Sequence, residues 1–397
     1  MSISLAPIEM VVLQGTSFCN LNCSYCYLSE ASRQTKSSMG IPTVQAIFES
    51  LLRSNFVNAG FRVSWHSGEP LVLPPSYYRE AIDTVLAIRD RIHGDRFHIQ
   101  FDIQTNGTLI DRAWCELLKE YRDVFTIGVS CDGPAFLHDR HRVNWAGKPT
   151  HAKTRAGMDQ LADAGIPFDV TAVVSRDGLD HPDEFLEFFS GYKGSIREFH
   201  FNLHDEFFIA DANGTELVVY REKYQKFLGA LLELTGHSTA YPGLRNFSQF
   251  FNRLFAPEGS RPDYDARSMC LPFRTLSIEA NGDVTTFYAG LTLDECRDLK
   301  DVYGDGKGFV IGNILQEDLS AMAGSAKLRR IADDFETSHA ACERSCQYFD
   351  LCSGGYNLIK YRRFGTFDAT ETPECAIHVK ATADTMLAHI NAHARGR

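Results

Sequence analysis

The first half of the chain repeats one pattern, a short strand-like run followed by an amphipathic helical stretch, and this repetition constrains the fold more than any other feature. Strands are expected at 10–13, 62–65, 99–104, 126–130, 168–174 and 198–203. The clearest helical face between them carries Val44, Ile47, Phe48, Leu51 and Leu52. Six such units make an α/β fold, either a partial (β/α)6 barrel or an open doubly wound sheet. In both, ligands gather at the carboxyl ends of the strands.

After a helix expected at 217–234 the alternation stops, and 241–265 reads as a connecting segment with Pro and Gly. A hairpin is expected next, with strands at 275–279 and 283–287 around Asn281-Gly282, a dipeptide that favours a tight primed turn. The remainder reads as cysteine-bearing and loop-rich until a helix at 376–392. The 397 residues exceed one small core, and the expected division is 1–235, 236–268 and 269–397.

Charge and hydropathy narrow the functions. A net charge of −11 and a pI near 5.7 oppose a nucleic-acid groove, which needs clustered Lys and Arg. No stretch approaches membrane-spanning length, and residues 1–8 lack the basic and apolar regions of an export signal, so a cytoplasmic protein without membrane contact is expected. In that reducing compartment, 11 cysteines point to metal ligation rather than a disulfide framework.

Cys19, Cys23 and Cys26, spaced C-x3-C-x2-C, follow the first strand directly. Three thiolates cannot close a four-iron cluster, whose usual holding set is four cysteines, so one iron is left open to chelate a cofactor. A structural zinc would want a fourth ligand nearby, which this loop lacks. The triad resembles that of the radical S-adenosylmethionine superfamily, and the later loops agree. Ser67-Gly68-Glu69-Pro70 is similar to the family's Gly-Gly-Glu-Pro motif, which binds the cofactor's amino group. There Gly68 is expected to let backbone approach the ligand. Gln104-Thr105-Asn106-Gly107 and Ser130-Cys131-Asp132-Gly133 are similar to the family's ribose and carboxylate contacts. Arg142 matches an arginine that pairs with the methionyl carboxylate, Leu203 a position that packs the adenine, and Tyr25 lies inside the triad. The resemblance implies an enzyme with a [4Fe-4S] cluster that cleaves S-adenosylmethionine to a 5′-deoxyadenosyl radical. It also implies an electron donor such as flavodoxin or ferredoxin.

Cys342, Cys346, Cys352 and Cys375 supply four thiolates, enough to close a second site. Spacing alone leaves zinc and an iron–sulfur cluster open. The stretches 348–355 and 309–313 resemble the SPASM domain of radical peptide maturases, which implies an auxiliary [4Fe-4S] cluster. Full SPASM domains carry a further cluster, but Phe287 and Tyr356 stand where two of its cysteines would be, and only Cys270 survives, with Cys296 a stray. One auxiliary cluster is therefore expected. Cys115 and Cys131 are expected to pack.

From Pro7 onward the chain most resembles the glycine-rich-repeat (Grr-type) maturases and their Xye and Fxs relatives. The resemblance implies a precursor peptide as substrate and a three-residue cyclophane as product, made by joining a β-carbon to an aromatic ring. The auxiliary cluster would accept the electron released on rearomatisation. For the proton, Asp205 or His204 just past the sixth strand is expected to act as base, Asp205 first because a carboxylate is already deprotonated at neutral pH. Only about eight residues precede the first strand, so leader binding is expected to use another surface or protein. Two rivals remain. An anaerobic sulfatase maturase would carry an acidic residue where Tyr288 stands. A non-catalytic iron–sulfur electron carrier would have no use for a cofactor pocket.

Overall fold

A computed structural model describes residues 5–204, 215–255, 271–352 and 354–394, the side chains of Thr215 and His237 excepted. Six parallel strands are the frame: β1 Met10–Leu13, β2 Gly60–Trp65, β3 His98–Thr105, β4 Phe125–Ser130, β5 Phe168–Val174 and β6 Ile196–Leu203. All six expected strands are present within two or three residues at their amino ends. Between them run α1 Glu30–Gln34, α2 Ile41–Arg53, α3 Pro75–Ile92, α4 Arg112–Glu120, α5 Ala135–His141, α6 His151–Asp163 and α7 Pro182–Ser190. The expected face of α2 is the buried one, with Val44, Ile47, Phe48, Leu51 and Leu52 packed against the sheet.

The sheet order is β6-β5-β4-β3-β2-β1-β7-β8-β9. A doubly wound sheet reverses its strand order part-way. Here β1 to β6 follow one another without reversal, so right-handed crossovers place every helix on one face. The result is the partial (β/α)6 barrel. Strands β2, β3, β5 and β6 alternate: Phe61, Val63, Trp65, Phe101, Ile103, Phe199 and Phe201 are buried toward the helices. Arg62, Asp102, Asp169, Glu198 and His200 lie on the other face and line a concave cavity of about 390 Å³.

Beyond β6, α8 Thr215–His237 and α9 Arg245–Phe255 follow. The segment 241–265 is therefore not simply a connection. Phe247, Phe250, Phe251 and Leu254 recur at helical spacing and pack on the core. Asn246 on α9 accepts from Phe201 N (3.1 Å) and donates to Phe201 O (2.9 Å), covering the backbone of edge strand β6.

At the other edge, β7 Thr275–Ile278 pairs parallel with β1, and β8 Asp283–Thr286 and β9 Gly312–Asn313 extend the sheet antiparallel. The turn between β7 and β8 differs from expectation. A primed turn needs positive φ at its first central residue, and type I′ at both, yet of Asn281 and Gly282 only Gly282 (φ 90°) has it. Gly282 N donates to Glu279 O (2.9 Å) and Glu279 N to Asp283 O (3.0 Å), a three-residue loop ending in a left-handed glycine. The region after β9 is more helical than its composition suggests: helix Ala326–Ser345 buries Leu328, Ile331 and Phe335, and Ser325 Oγ caps it by accepting from Leu328 N (3.1 Å). The expected last helix begins as a π-helical stretch, Cys375–Ala381, and continues as Thr382–Ala394. Among the described residues, no helix is long and apolar enough to cross a membrane.

Candidate functional site

The triad loop leaves the carboxyl end of β1 and is fastened on several sides. Cys19 N donates to Arg33 O (2.9 Å), Asn22 N to Val143 O (2.7 Å) and Ser24 N to His141 O (3.0 Å). Trp145, which carried no motif signal, donates from Nε1 to Cys19 O (2.9 Å). Burial pushes the Cys19 thiol up to about 12, with the charge of Glu69 adding to it, and raises Cys23 and Cys26 as well. Such thiols ionise only against a cation, and ligated iron is one.

Glu69 is fully buried and accepts from Leu71 N (2.9 Å), Thr105 Oγ1 (2.6 Å) and Asn106 N (2.8 Å). Asn106 in turn donates to Asn20 Oδ1 (2.8 Å) on the triad loop. The loop after β3 thus ties the Glu69 loop to the cysteines. Gly68 (φ 64°) is required by a contact within the chain: a Cβ there would stand 2.6 Å from Thr16 O and 2.8 Å from Phe18 O. Ser67 shares its left-handed backbone (φ 76°).

Arg142 is paired within the chain: its Nε and Nη2 donate to Asp132 Oδ2 (2.9 Å) and Oδ1 (3.1 Å), a buried two-point pair. Tyr25 donates its hydroxyl to the same Asp132 Oδ2 (2.5 Å), and Val173 N donates to Oδ1 (2.9 Å). Burial raises the Asp132 carboxyl, but the Arg142 charge outweighs it and the net direction is down. Ser130 accepts from Gln104 Nε2 (2.8 Å), and Leu203 is buried at the end of β6. His204 packs its ring 5.2 Å from Tyr25 and 5.1 Å from His141, so it reaches the triad side of the barrel. Asp205 and Cys270 lie outside the described residues.

Two buried charges test whether this pocket suits a cluster and its cofactor. Among the described residues, Glu69 has no cation within ion-pair distance, and burial raises its carboxyl. Arg33 is 5% exposed, stacks its guanidinium 5.2 Å from the Trp145 ring, and leaves Nε and Nη1 without a hydrogen-bond partner. An uncompensated buried charge costs several kcal/mol. An ammonium group beside Glu69 and an anionic cluster beside Arg33 remove both costs, so the residues fit the groups.

In the second set, Cys342 lies on helix Ala326–Ser345, and Cys346 closes that helix with its N donating to Cys342 O (2.8 Å). Cys352 ends the short helix Phe349–Cys352, and Cys375 opens the π-helical stretch. Burial comes first in raising Cys352 and Cys375, the latter to about 12, and the other thiols of the set add to it, so the four face one space. Among the described residues, no three sulfurs of either set lie within 4.8 Å of one another. A tetrahedral zinc would draw its sulfurs to about 3.8 Å. Lys360, another residue without a motif signal, donates from Nζ to Cys342 Sγ (3.1 Å) and Ser338 O (2.6 Å).

The two positions that depart from a full SPASM pattern meet in one aromatic cluster. Phe287 lies 4.7 Å from Phe335, and Tyr288 lies 5.4 Å from Tyr356 and 6.0 Å from Phe335. Rings fill this space. Cys296 is buried and donates to Gly290 O (3.4 Å), Cys115 to Gln160 O (3.8 Å) and Cys131 to Gly133 O (3.7 Å), as packing thiols do.

The sequence profile of the Radical SAM superfamily matches residues 13–189. An uncharacterized protein of Synechocystis sp. is 30% identical over 384 residues, 97% of this chain and 92% of that protein. The cysteine-type anaerobic sulfatase-maturating enzyme of Clostridium perfringens is 22% identical over 362 residues, 88% of this chain and 89% of that enzyme. Among solved structures, native anSMEcpe with bound AdoMet and Cp18Cys peptide superposes with a TM-score of 0.73 at 20% identity, covering 98% of this chain and 100% of that one. Streptococcus suis SuiB bound to precursor peptide SuiA gives 0.60 at 17% identity, covering 93% and 75%. These two likenesses show the fold.

Proposed function

The chain belongs to the radical SAM superfamily, and from that premise we propose that it is a maturase of a ribosomally made peptide, joining a side-chain β-carbon to an aromatic ring. The observation that carries this reading is the pairing of a three-thiol loop at the carboxyl end of β1 with a separate four-thiol set on the helices that follow β9. Relatives that modify proteins or bind a precursor peptide support it. In this reading 1–235 is the radical core, 236–268 the connection and 269–397 the auxiliary-cluster module.

Cys19, Cys23 and Cys26 would hold the cofactor-binding cluster, and Cys342, Cys346, Cys352 and Cys375 the auxiliary one. When bound, the first supplies with S-adenosylmethionine a radical that removes one hydrogen atom, and the second an acceptor for one electron. Glu69 receives the cofactor's amino group and thereby loses its uncompensated charge. Ser67, Thr105, Asn106, Ser130 and Leu203 shape the remainder of that pocket. The Asp132–Arg142 pair with Tyr25 holds the triad side of the barrel rigid and dry. Joining the two carbons breaks one C–H bond on each, so the second hydrogen leaves the ring as a proton with one electron. His204, beside Tyr25, or Asp205 takes that proton.

The test is anaerobic co-expression with a precursor peptide encoded beside this gene, followed by mass spectrometry. Each crosslink is expected to remove two hydrogens from the peptide, with 5′-deoxyadenosine formed alongside. Cofactor cleavage with a product that has gained an aldehyde instead would assign the sulfatase-maturase type of chemistry. For the base, Asp205→Asn and His204→Gln are expected to slow crosslinking while cofactor cleavage persists. Wild-type single-turnover rates in both variants would remove this stretch from the mechanism.

A further inference from the structure

Lys360 is 3% exposed, yet no carboxylate among the described residues lies within ion-pair distance of it. Its ammonium is held by one carbonyl, Ser338 O at 2.6 Å, and one sulfur, Cys342 Sγ at 3.1 Å. A buried lysine without an anion is costly enough that such groups usually neutralise or are absent. Other cations near the four-thiol set are engaged elsewhere: Lys380 Nζ bonds Glu371 Oε1 at 2.6 Å, and Arg253 Nη1 bonds Leu351 O at 2.8 Å. The sulfur of Cys342 is thus the anion that Lys360 lacks, once it is a ligated thiolate.

We infer that Lys360 is a positioning residue that raises the reduction potential of the auxiliary cluster through a charged hydrogen bond to the Cys342 sulfur. The inference rests on the auxiliary cluster proposed above. A cluster held by four thiolates is anionic and gains one further negative charge when it takes an electron. A fixed ammonium at a ligand sulfur stabilises the reduced form more than the oxidised one, and hydrogen bonds to the sulfurs are among the levers that set such potentials. The same contact makes the cluster a better acceptor for the electron that leaves the substrate ring. Helix geometry fixes the placement: Ser338 and Cys342 are one turn apart on one helix face, and helix Asn357–Phe364 brings Lys360 across it.

The experiment uses the full chain with Cys19, Cys23 and Cys26 replaced by Ala, so that only the auxiliary cluster is titrated, followed by electron paramagnetic resonance at controlled potential. Lys360→Met is expected to lower the midpoint by about 60 mV or more, a tenfold change in a one-electron equilibrium. Lys360→Gln, which keeps a donor without the charge, should lie between, and Lys360→Arg should return toward the starting value. A merely structural lysine would change iron content or folding and leave the potential of the loaded protein alone. If Lys360→Met holds its full iron at an unaltered potential, the inference is overturned. Should that variant fail to fold, the triple-Ala protein labelled with 15N-lysine decides by pulsed resonance. A nitrogen coupling to the reduced cluster, lost in Lys360→Arg, is expected, and none in the unsubstituted Lys360 protein overturns it. Zinc without iron in the triple-Ala protein would overturn the auxiliary-cluster reading itself, and this inference with it.

Discussion

The two cysteine sets differ in setting: the first lies on a loop at the carboxyl end of β1, the second on helices that follow β9. Around Cys19, Cys23 and Cys26 the surroundings are polar and charged: Glu69, the Asp132–Arg142 pair, Tyr25 and Arg33, whose Nε and Nη1 have no hydrogen-bond partner, with loops at the ends of β1 to β5 tied together. Around Cys342, Cys346, Cys352 and Cys375 the backbone is helical, Lys360 is the buried cation, and Gly354 O and Thr370 O accept from the Cys342 thiol. A site that must admit a zwitterionic cofactor keeps hydrogen-bonding groups facing inward, each satisfied or awaiting a counter-charge. One that only stores an electron can be sealed by packing. In the proposed reading the contrast would follow from the ligand count, three against four.

The largest test of this contrast is to remove each set in turn. Anaerobically reconstituted wild type is expected to hold about eight irons in two four-iron clusters. Replacing Cys19, Cys23 or Cys26 with Ala should abolish 5′-deoxyadenosine formation. Cys346→Ala, provided it folds, should retain cleavage and lose crosslinking. Normal product from Cys346→Ala would leave the four-thiol set a structural role only, and an iron count near twelve would contradict the aromatic filling around Phe335.

A smaller effect tests the materials themselves. Asp132→Asn leaves Arg142 buried without its carboxylate partner and is expected to cost ~3–5 kcal/mol by denaturant unfolding. Phe335→Leu, in the ring cluster, should cost less, about 1–2 kcal/mol, and should not alter cofactor affinity. Equal losses of cofactor binding in both variants would erase the distinction between the sites.

A pH-dependent effect lies at the β7–β8 turn. Glu279, at the β7–β8 turn, is raised to about 7 by burial first and by the nearby charges of Asp283, Glu295 and Asp294. Its folded pKa is therefore above its unfolded value, near 4.5. That group favours the folded state fully below about 4.5, and its contribution is lost as pH rises through about 7. Thermal midpoints of wild type should fall across that window relative to those of Glu279→Gln. Parallel curves would mean the carboxyl is not buried in solution.

Much of this architecture was legible in the chain. Period-two and period-3.6 patterns located all six parallel strands and the buried face of α2, because burial against one neighbouring layer imposes those periods directly. The cysteine spacings singled out two sets of thiols, and the fold keeps them apart, one after β1 and one on the helices beyond β9. The helix α9 was hidden by the Pro and Gly on either side of it, although Phe247, Phe250, Phe251 and Leu254 carried the helical spacing. Asn281-Gly282 pointed to a primed turn, and the packing of Leu315 and Asn313 against Gly282 accompanies a wider one.

What the sequence determined by itself is what local spacing can encode: the strand and helix order, the triad after β1 and the four later thiols. What only the tertiary structure decided is which charges face one another. Arg142, ten residues from Asp132 in sequence, pairs with that carboxylate, and Gly68 makes room for the backbone of the triad loop. Arg33 and Lys360 had no motif to mark them. A buried charge acquires its meaning from groups brought close by packing, and neither composition nor periodicity holds a record of that distance.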